Sequence, residues 1–291
     1  MRTLNILASL LVGASALNAQ QVGTIVVAHG GDTEWNNRVL SVASGAKTGG
    51  PVEVSFLMGP GAKTNRFQDI VARMEANGVS RIVVVPLLIS SHSGHYEQIR
   101  YLAGEVEKLD EKMMHHLHMA GLEQIRSKVP LTVAKAVDDS PDVARVLIER
   151  AHALAPDPAK HALFVIGHGP NSSDDLASWM KNLRAMTDTI RALTKFQDVR
   201  VGLVQDDAPA HVRAEAVNRA RELITLQNRL TNEKVVVVPV LVSKGKLSVE
   251  KIPQDLAGLP IIYDGEPLLP HPALARWIEA RVRETGQLTV K

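Results

Sequence analysis

The chain has 291 residues, of which 45% are hydrophobic, 33 are basic, 31 are acidic and none is cysteine. That is enough apolar material for one large core or two ordinary ones, which excludes a disordered chain. A formal net charge of +2 leaves no broad footprint for nucleic acid and no polybasic membrane patch, so a small-molecule partner is expected. Without cysteine there are no disulfides, iron–sulfur clusters or thiolate sites, and any metal is held by His, Asp or Glu.

The chain begins MRTLNILASLLVGASALNAQ, with one early cation, an apolar run from Leu4 to Val12 and small residues at Ala14, Ala16 and Ala19. This order of features predicts a cleaved secretory signal over residues 1–20 and an exported, periplasmic protein. No later stretch approaches about 18 uninterrupted apolar residues, so no lasting membrane anchor is expected.

Four short apolar runs come next: TIVVA (24–28), VEVSFL (52–57), RIVVVPLLI (81–89) and LTVAKAV (131–137). Continuous rather than alternating runs suit parallel strands buried on both faces. Between two of them, NRFQDIVARMEANG sets Phe67, Ile70, Val71 and Met74 at helical spacing and stops at Gly78. Strand and helix alternating in this way predict a doubly wound α/β layer.

The plan then repeats. VVAHGG at 26–31 returns as VIGHGP at 165–170, IVVVPLLIS from Ile82 as VVVVPVLVS from Val235, and SPDVAR from Ser140 as HPALAR from His271. Two homologous α/β halves are predicted, 22–155 and 161–285, joined at APDPAK, where two prolines interrupt the helix. A ligand cleft is expected between them, near the carboxyl ends of the strands. KMMHHLHMAG (112–121) has no counterpart in the second half.

His29 ends the first run, so its side chain should leave the sheet at the carboxyl edge. PLLISSHSGHYEQI puts His92 and His95 directly after the third run, which in a doubly wound sheet can neighbour the first. His95 is expected to point inward from the start of a helix, while His92 stays in the loop. A lone histidine there is as often structural, bonding a loop carbonyl, but imidazoles from adjacent strand ends bind a divalent metal or accept protons near neutral pH. His29 and His95 are thus the candidate catalytic and metal residues, and His92 is a lesser third ligand. The second half keeps His168 but has Lys244 and Lys246 in PVLVSKGKLS, so one complete site in the first half is expected. MMHHLHM, with His115, His116 and His118, reads as an ordinary amphipathic helix or, alternatively, as a metal-delivery stretch or lid.

Three other motifs fail at a residue their chemistry requires. GPGAKTN (59–65) has Ala62 where a phosphate loop needs glycine before the lysine. AHGG is not accompanied by the G-x-S-x-G elbow of α/β-hydrolases. The strand-end His-Gly lacks the preceding arginine of histidine phosphatases, since Ala28 and Gly167 stand there.

VVAHGG, VVVPLLISSHSGHYEQI and the second copy FVIGHGP with VVVVPVLVS together resemble the class II tetrapyrrole chelatases of the CbiX type, the sirohydrochlorin cobaltochelatases and ferrochelatases, in their long form. The resemblance implies an α/β fold of two tandem chelatase-like domains, the second degenerate, each a doubly wound, mostly parallel sheet. The internal duplication leads us to expect a monomer whose halves mimic a dimer. The implied activity is insertion of Co2+ or Fe2+ into a metal-free tetrapyrrole in the cleft, without ATP, with the metal as substrate and no tightly bound cofactor. His29 and His95, matching the family's paired histidines, would hold the metal and take up the two pyrrole protons. Leu87 and Leu88 are either cleft wall or core. The chain departs from the family pattern at Met58, where an acidic residue is frequent and for which Glu97 or Asp32 could substitute, and at HGGD, which stands for the usual HGSR. With the export signal, these departures support a second reading, an exported metal- or tetrapyrrole-binding protein without turnover.

Overall fold

Alternate residues of each apolar run face opposite sides of a sheet, and both sides are covered. The computed structural model describes residues 21–288, so the expected signal over 1–20 lies outside the described residues. The first half runs β1 (Val22–Ala28), α1 (Thr33–Ser44), β2 (Val52–Phe56), α2 (Gly59–Thr64), α3 (Phe67–Ala76), β3 (Arg81–Leu87), α4 (Gly94–Leu102), α5 (Glu111–Ala120), β4 (Leu131–Val133) and α6 (Pro141–Leu154). The second runs β5 (Leu163–Gly167), α7 (Ser173–Leu193), β6 (Val199–Leu203), α8 (Ala210–Thr231), β7 (Val235–Val240), α9 (Ile252–Asp255), β8 (Ile261–Ile262) and α10 (Pro272–Leu288). Each half forms a four-stranded parallel sheet of the same order, β2-β1-β3-β4 and β6-β5-β7-β8.

Several elements arise directly from local chemistry. Asp32, Ser93 and Ser140 cap α1, α4 and α6 by accepting from the backbone N–H three residues on, and Pro141 opens α6. The face of α3 carrying Phe67, Ile70, Val71 and Met74 is buried, and Gly78 turns away with φ +77°. LTVAKAV is a strand only over Leu131–Val133. Beyond it, Ala134 and Val137 still donate to the Val84 and Leu88 carbonyls, but Ser91 Oγ takes the Ala136 N–H and the regular ladder is broken. GPGAKTN forms the short helix α2 over its first six residues, with Ala62 buried.

The sheets stay within the two halves of the sequence, but their last helices do not. α6 packs against β7 of the second sheet, and α10 packs against β3 and α1 of the first. Val26, Val83 and Val85 therefore share one apolar core with Val165, Val236 and Val238, filled by Leu147 of α6, Trp179 of α7 and Trp277 of α10. The outer face of the first sheet is covered by α3, α4 and α5. The outer face of the second is covered by α8 and α9. Polar clamps add to the join: Trp179 Nε1 donates to the His92 carbonyl at 2.6 Å, and Asn182 Nδ2 donates to Asp138 at 3.2 Å. Among the described residues no helix is long and apolar enough to cross a membrane.

Candidate functional site

β1 and β3 are neighbours with Ala28 opposite Leu87, so the loops after the two strands leave at the same sheet edge. Gly30 has φ +93°, and a Cβ there would meet the Met58 carbonyl oxygen at 2.3 Å, so only glycine fits the turn. The turn brings the Gly30 carbonyl to His29 Nδ1 at 2.8 Å. A carbonyl only accepts, so Nδ1 carries the proton and Nε2 is left with its lone pair.

His95 reaches the same arrangement by another route. Its Nδ1 lies 2.8 Å from Gln98 Oε1, while the Gln98 amide nitrogen donates to the Met113 carbonyl of α5 at 2.7 Å. The second bond orients the buried amide, so Oε1 must accept from Nδ1–H and Nε2 is again free. The His29 and His95 rings meet edge to face, centroids 4.7 Å apart and planes at 81°. Burial lowers the pKa of His29 despite the Gly30 carbonyl. Burial and then the neighbouring His29 hold His95 down to about 4. Both imidazoles are therefore neutral at neutral pH, the form that binds a metal or accepts a proton.

The second half repeats the device. Gly169 has φ +84°, and its carbonyl takes His168 Nδ1 at 2.6 Å. Here Nε2 is not free, because Asp207 Oδ2 lies 3.2 Å away. Burial alone would lower the His168 pKa, but the Asp207 bond and the Gly169 carbonyl together raise it. The same bond to His168 holds Asp207 at about 2. Asp206 is ion-paired to Arg213 at 3.0 Å and to Lys251 at 2.7 Å. The charges of His168 and Asp207 act on His29 less than burial and the Gly30 carbonyl do.

The sequence alone places one complete site in the first half, and the structure adds the His168–Asp207 pair from the second. The two aspartates escape sequence alignment because Gln205 is an extra residue held at φ +47°, so Asp206 takes the backbone bond that Met58 takes in the first half. His92 is exposed in the loop before α4 and gives its carbonyl to Trp179. Asp32 caps α1, and Glu97 pairs with Arg100 at 3.1 Å, so both acidic stand-ins are engaged elsewhere. Leu87 and Leu88 are buried in the core. Of the α5 histidines, His115 and His118 are exposed. His116 is half-buried, its charge acts on His29 and His95, and its Nδ1 is buried without a partner. Lys244 pairs with Glu266, and Lys246 is exposed. Two shallow grooves, one along α8 at Arg221 and Leu226, the other beside α1 and β2 at Leu40 and Val54, lie away from these groups.

Two parallel sheets of the same order, each ending an inner strand on a His-Gly turn, define an α/β protein of the chelatase-like class. The CbiX family model matches residues 23–154 and again 162–285, and the chain belongs to the CbiX family. Among solved structures, SirB from Bacillus subtilis with Fe3+ superposes with a TM-score of 0.61 at 18% identity, covering 91% of this chain and 95% of that one. The sirohydrochlorin chelatase SirB from Bacillus subtilis subspecies spizizenii, in complex with cobalt, gives 0.59 at 18% identity, covering 92% and 96%. A multi-domain protein of Deinococcus radiodurans with structural similarity to chelatases gives 0.56 at 18% identity, with 90% of this chain matched to 54% of that one. No curated protein sequence matches the chain significantly.

Proposed function

We propose that the protein inserts a divalent metal, Co2+ or Fe2+, into a metal-free tetrapyrrole of the sirohydrochlorin type, with His29 and His95 as the residues that carry the exchange. The observation that supports this most directly is the edge-to-face pair whose Nδ1 atoms are both occupied, leaving two Nε2 lone pairs at one sheet edge. Imidazole nitrogen suits both metals. The ion, held on these nitrogens, passes to the macrocycle as the two pyrrole N–H bonds break, and the protons move the opposite way onto the vacated lone pairs. The lowered basicity of both rings then returns the protons to water. In sum a dication enters the ring and two protons leave, so no nucleotide or redox partner is required. Family membership and two SirB structures solved with iron and cobalt support the same reading.

The test mixes full-length protein with sirohydrochlorin and Co2+ and follows the tetrapyrrole absorption spectrum. Insertion faster than with metal alone is expected, falling on the order of a hundredfold in His29→Ala and His95→Ala. Equal rates in wild type and both variants would sink the reading. A second reading, an exported metal- or tetrapyrrole-binding protein without turnover, is favoured by Met58 and by the signal-like residues 1–20. Saturable binding in calorimetry with no spectral turnover would select it. In either case we place the protein outside the cytoplasm, and protein that begins at Met1 and stays in the cytoplasmic fraction would overturn that placement.

A further inference from the structure

We infer that Gln98 is the positioning residue of His95, and that α5, the segment with no counterpart in the second half, is what holds the Gln98 amide in place. This rests on reading His95 Nε2 as a metal ligand and proton acceptor. It gives the histidine-rich insert a part in the site through one backbone carbonyl rather than through its imidazoles.

His29, His95 and His168 all have Nδ1 tied down, but not in the same way. His29 and His168 use the carbonyl of the next residue, Gly30 and Gly169, each turned back by a positive φ. His95 has no such turn. It is the second residue of α4 (Gly94–Leu102), where the neighbouring carbonyls run along the helix toward its C-terminus. Its ring is fixed instead by a side chain three residues on, a position that shares its face of the helix. Gln98 stands there, with Oε1 2.8 Å from His95 Nδ1.

A glutamine amide offers an oxygen and an NH2 group of similar shape, and turned end for end it would donate to Nδ1 and select the other tautomer. α5 prevents that turn. The amide nitrogen donates to the Met113 carbonyl at 2.7 Å, and a flipped amide would set oxygen against oxygen there. Met113 is itself held at two points. Its N–H donates to the Asp110 side chain that caps α5, and a Cβ on Gly94 would meet its sulfur at 2.7 Å, so α5 sits directly on the start of α4. Leu117, one turn further along α5, is buried in the outer core of the first sheet. Gln98 is 1% exposed, so neither end of its amide can turn to water instead. With Nδ1 holding the proton, His95 presents a bare Nε2 beside His29, whereas the other tautomer would present an N–H and repel a cation.

The test uses the full chain at neutral pH, nitrogen NMR of the metal-free imidazoles and Co2+ calorimetry, on Gln98→Met and Gln98→Glu. Met has the length of the buried side chain but no strong acceptor for Nδ1–H, whereas Glu keeps the oxygen and is the harder group to bury. If Gln98 only fills space, Met is the milder change. Positioning predicts the reverse order. Gln98→Met should lose the Nδ1–H signature of His95 and bind Co2+ about 10- to 100-fold more weakly, the usual effect of removing a partner that orients a metal ligand. Gln98→Glu should keep the signature and recover most of the affinity. Gln68→Met removes a different glutamine bond to α5, the one to the Gly121 carbonyl, and should leave both readouts at wild type. Circular dichroism checks that each variant is folded. A wild-type signature and affinity in Gln98→Met, or an equal loss in Gln68→Met, would overturn the inference. Loss of the signature in Gln98→Met, with no Co2+ uptake even by the wild type, would uphold the positioning of His95 while defeating its reading as a metal ligand.

Discussion

Lowering the pH from about 7.5 to about 4.5 sets the folded and unfolded states of His95 against each other. In the unfolded chain the ring binds a proton near 6.5, whereas in the fold burial and His29 hold it down to about 4. Between those values the unfolded chain carries a proton that the folded chain refuses. Stability from this ring is therefore complete above pH 6.5, falls as the pH drops toward about 4, and levels off below. Each pH unit in that window is worth about 1.4 kcal/mol, so at about pH 4.5 the loss is on the order of 2 to 3 kcal/mol. That is a sizeable part of the roughly 5–15 kcal/mol that holds a domain together. Urea denaturation of the metal-free protein at the two pH values, wild type against His95→Asn, measures it. The wild type should lose that much more stability than the variant on acidification, and equal losses in the two proteins would refute the reasoning.

The paired ring in the second half shifts the opposite way. In the metal-free protein, NMR titration should find His168 ionising above 6.5, and Asp207→Asn should lower its midpoint because the bond and charge that oppose burial are lost; an unmoved midpoint would show that the pair does not form in solution. Trp277 of α10 is fully buried in the core common to both sheets. Trp277→Ala should cost about 3–5 kcal/mol and lower the stability of both halves in one transition. Two separate unfolding steps, only one of them shifted, would contradict a common core.

Much of the fold is legible because its strands are buried on both faces and so appear as continuous apolar runs. The repeat of VVAHGG and IVVVPLLIS marks the two sheets for the same reason, and His29 and His95 are found from strand ends that adjacency brings together. The aspartates after β6 are hidden because a single left-handed residue, Gln205, shifts the second copy out of step with FLMG, setting Asp206 opposite Met58. Gln98 looks like any polar helix residue, and only the packing of α5 against α4 shows it buried and setting the His95 tautomer. The exchange of α6 and α10 leaves no mark either, since an amphipathic helix reads the same whichever sheet it covers. LTVAKAV loses its regular ladder after Val133 because Ser91 and Tyr96, distant in sequence, take the Ala136 N–H and the Ala134 carbonyl, although Ala134 and Val137 still donate to backbone carbonyls.

Each sheet is roofed by a helix threaded in from the other half, which makes the chain an interlocked pair rather than two beads on a string. Prising the halves apart would strip Leu147 from beneath one sheet and Trp277 from beneath the other, exposing both apolar undersides to water at once. A hinge at APDPAK is thereby disabled, although that segment has the composition of one. The strand ends that carry His29 and His168 are thus anchored in one core rather than in two that could drift apart.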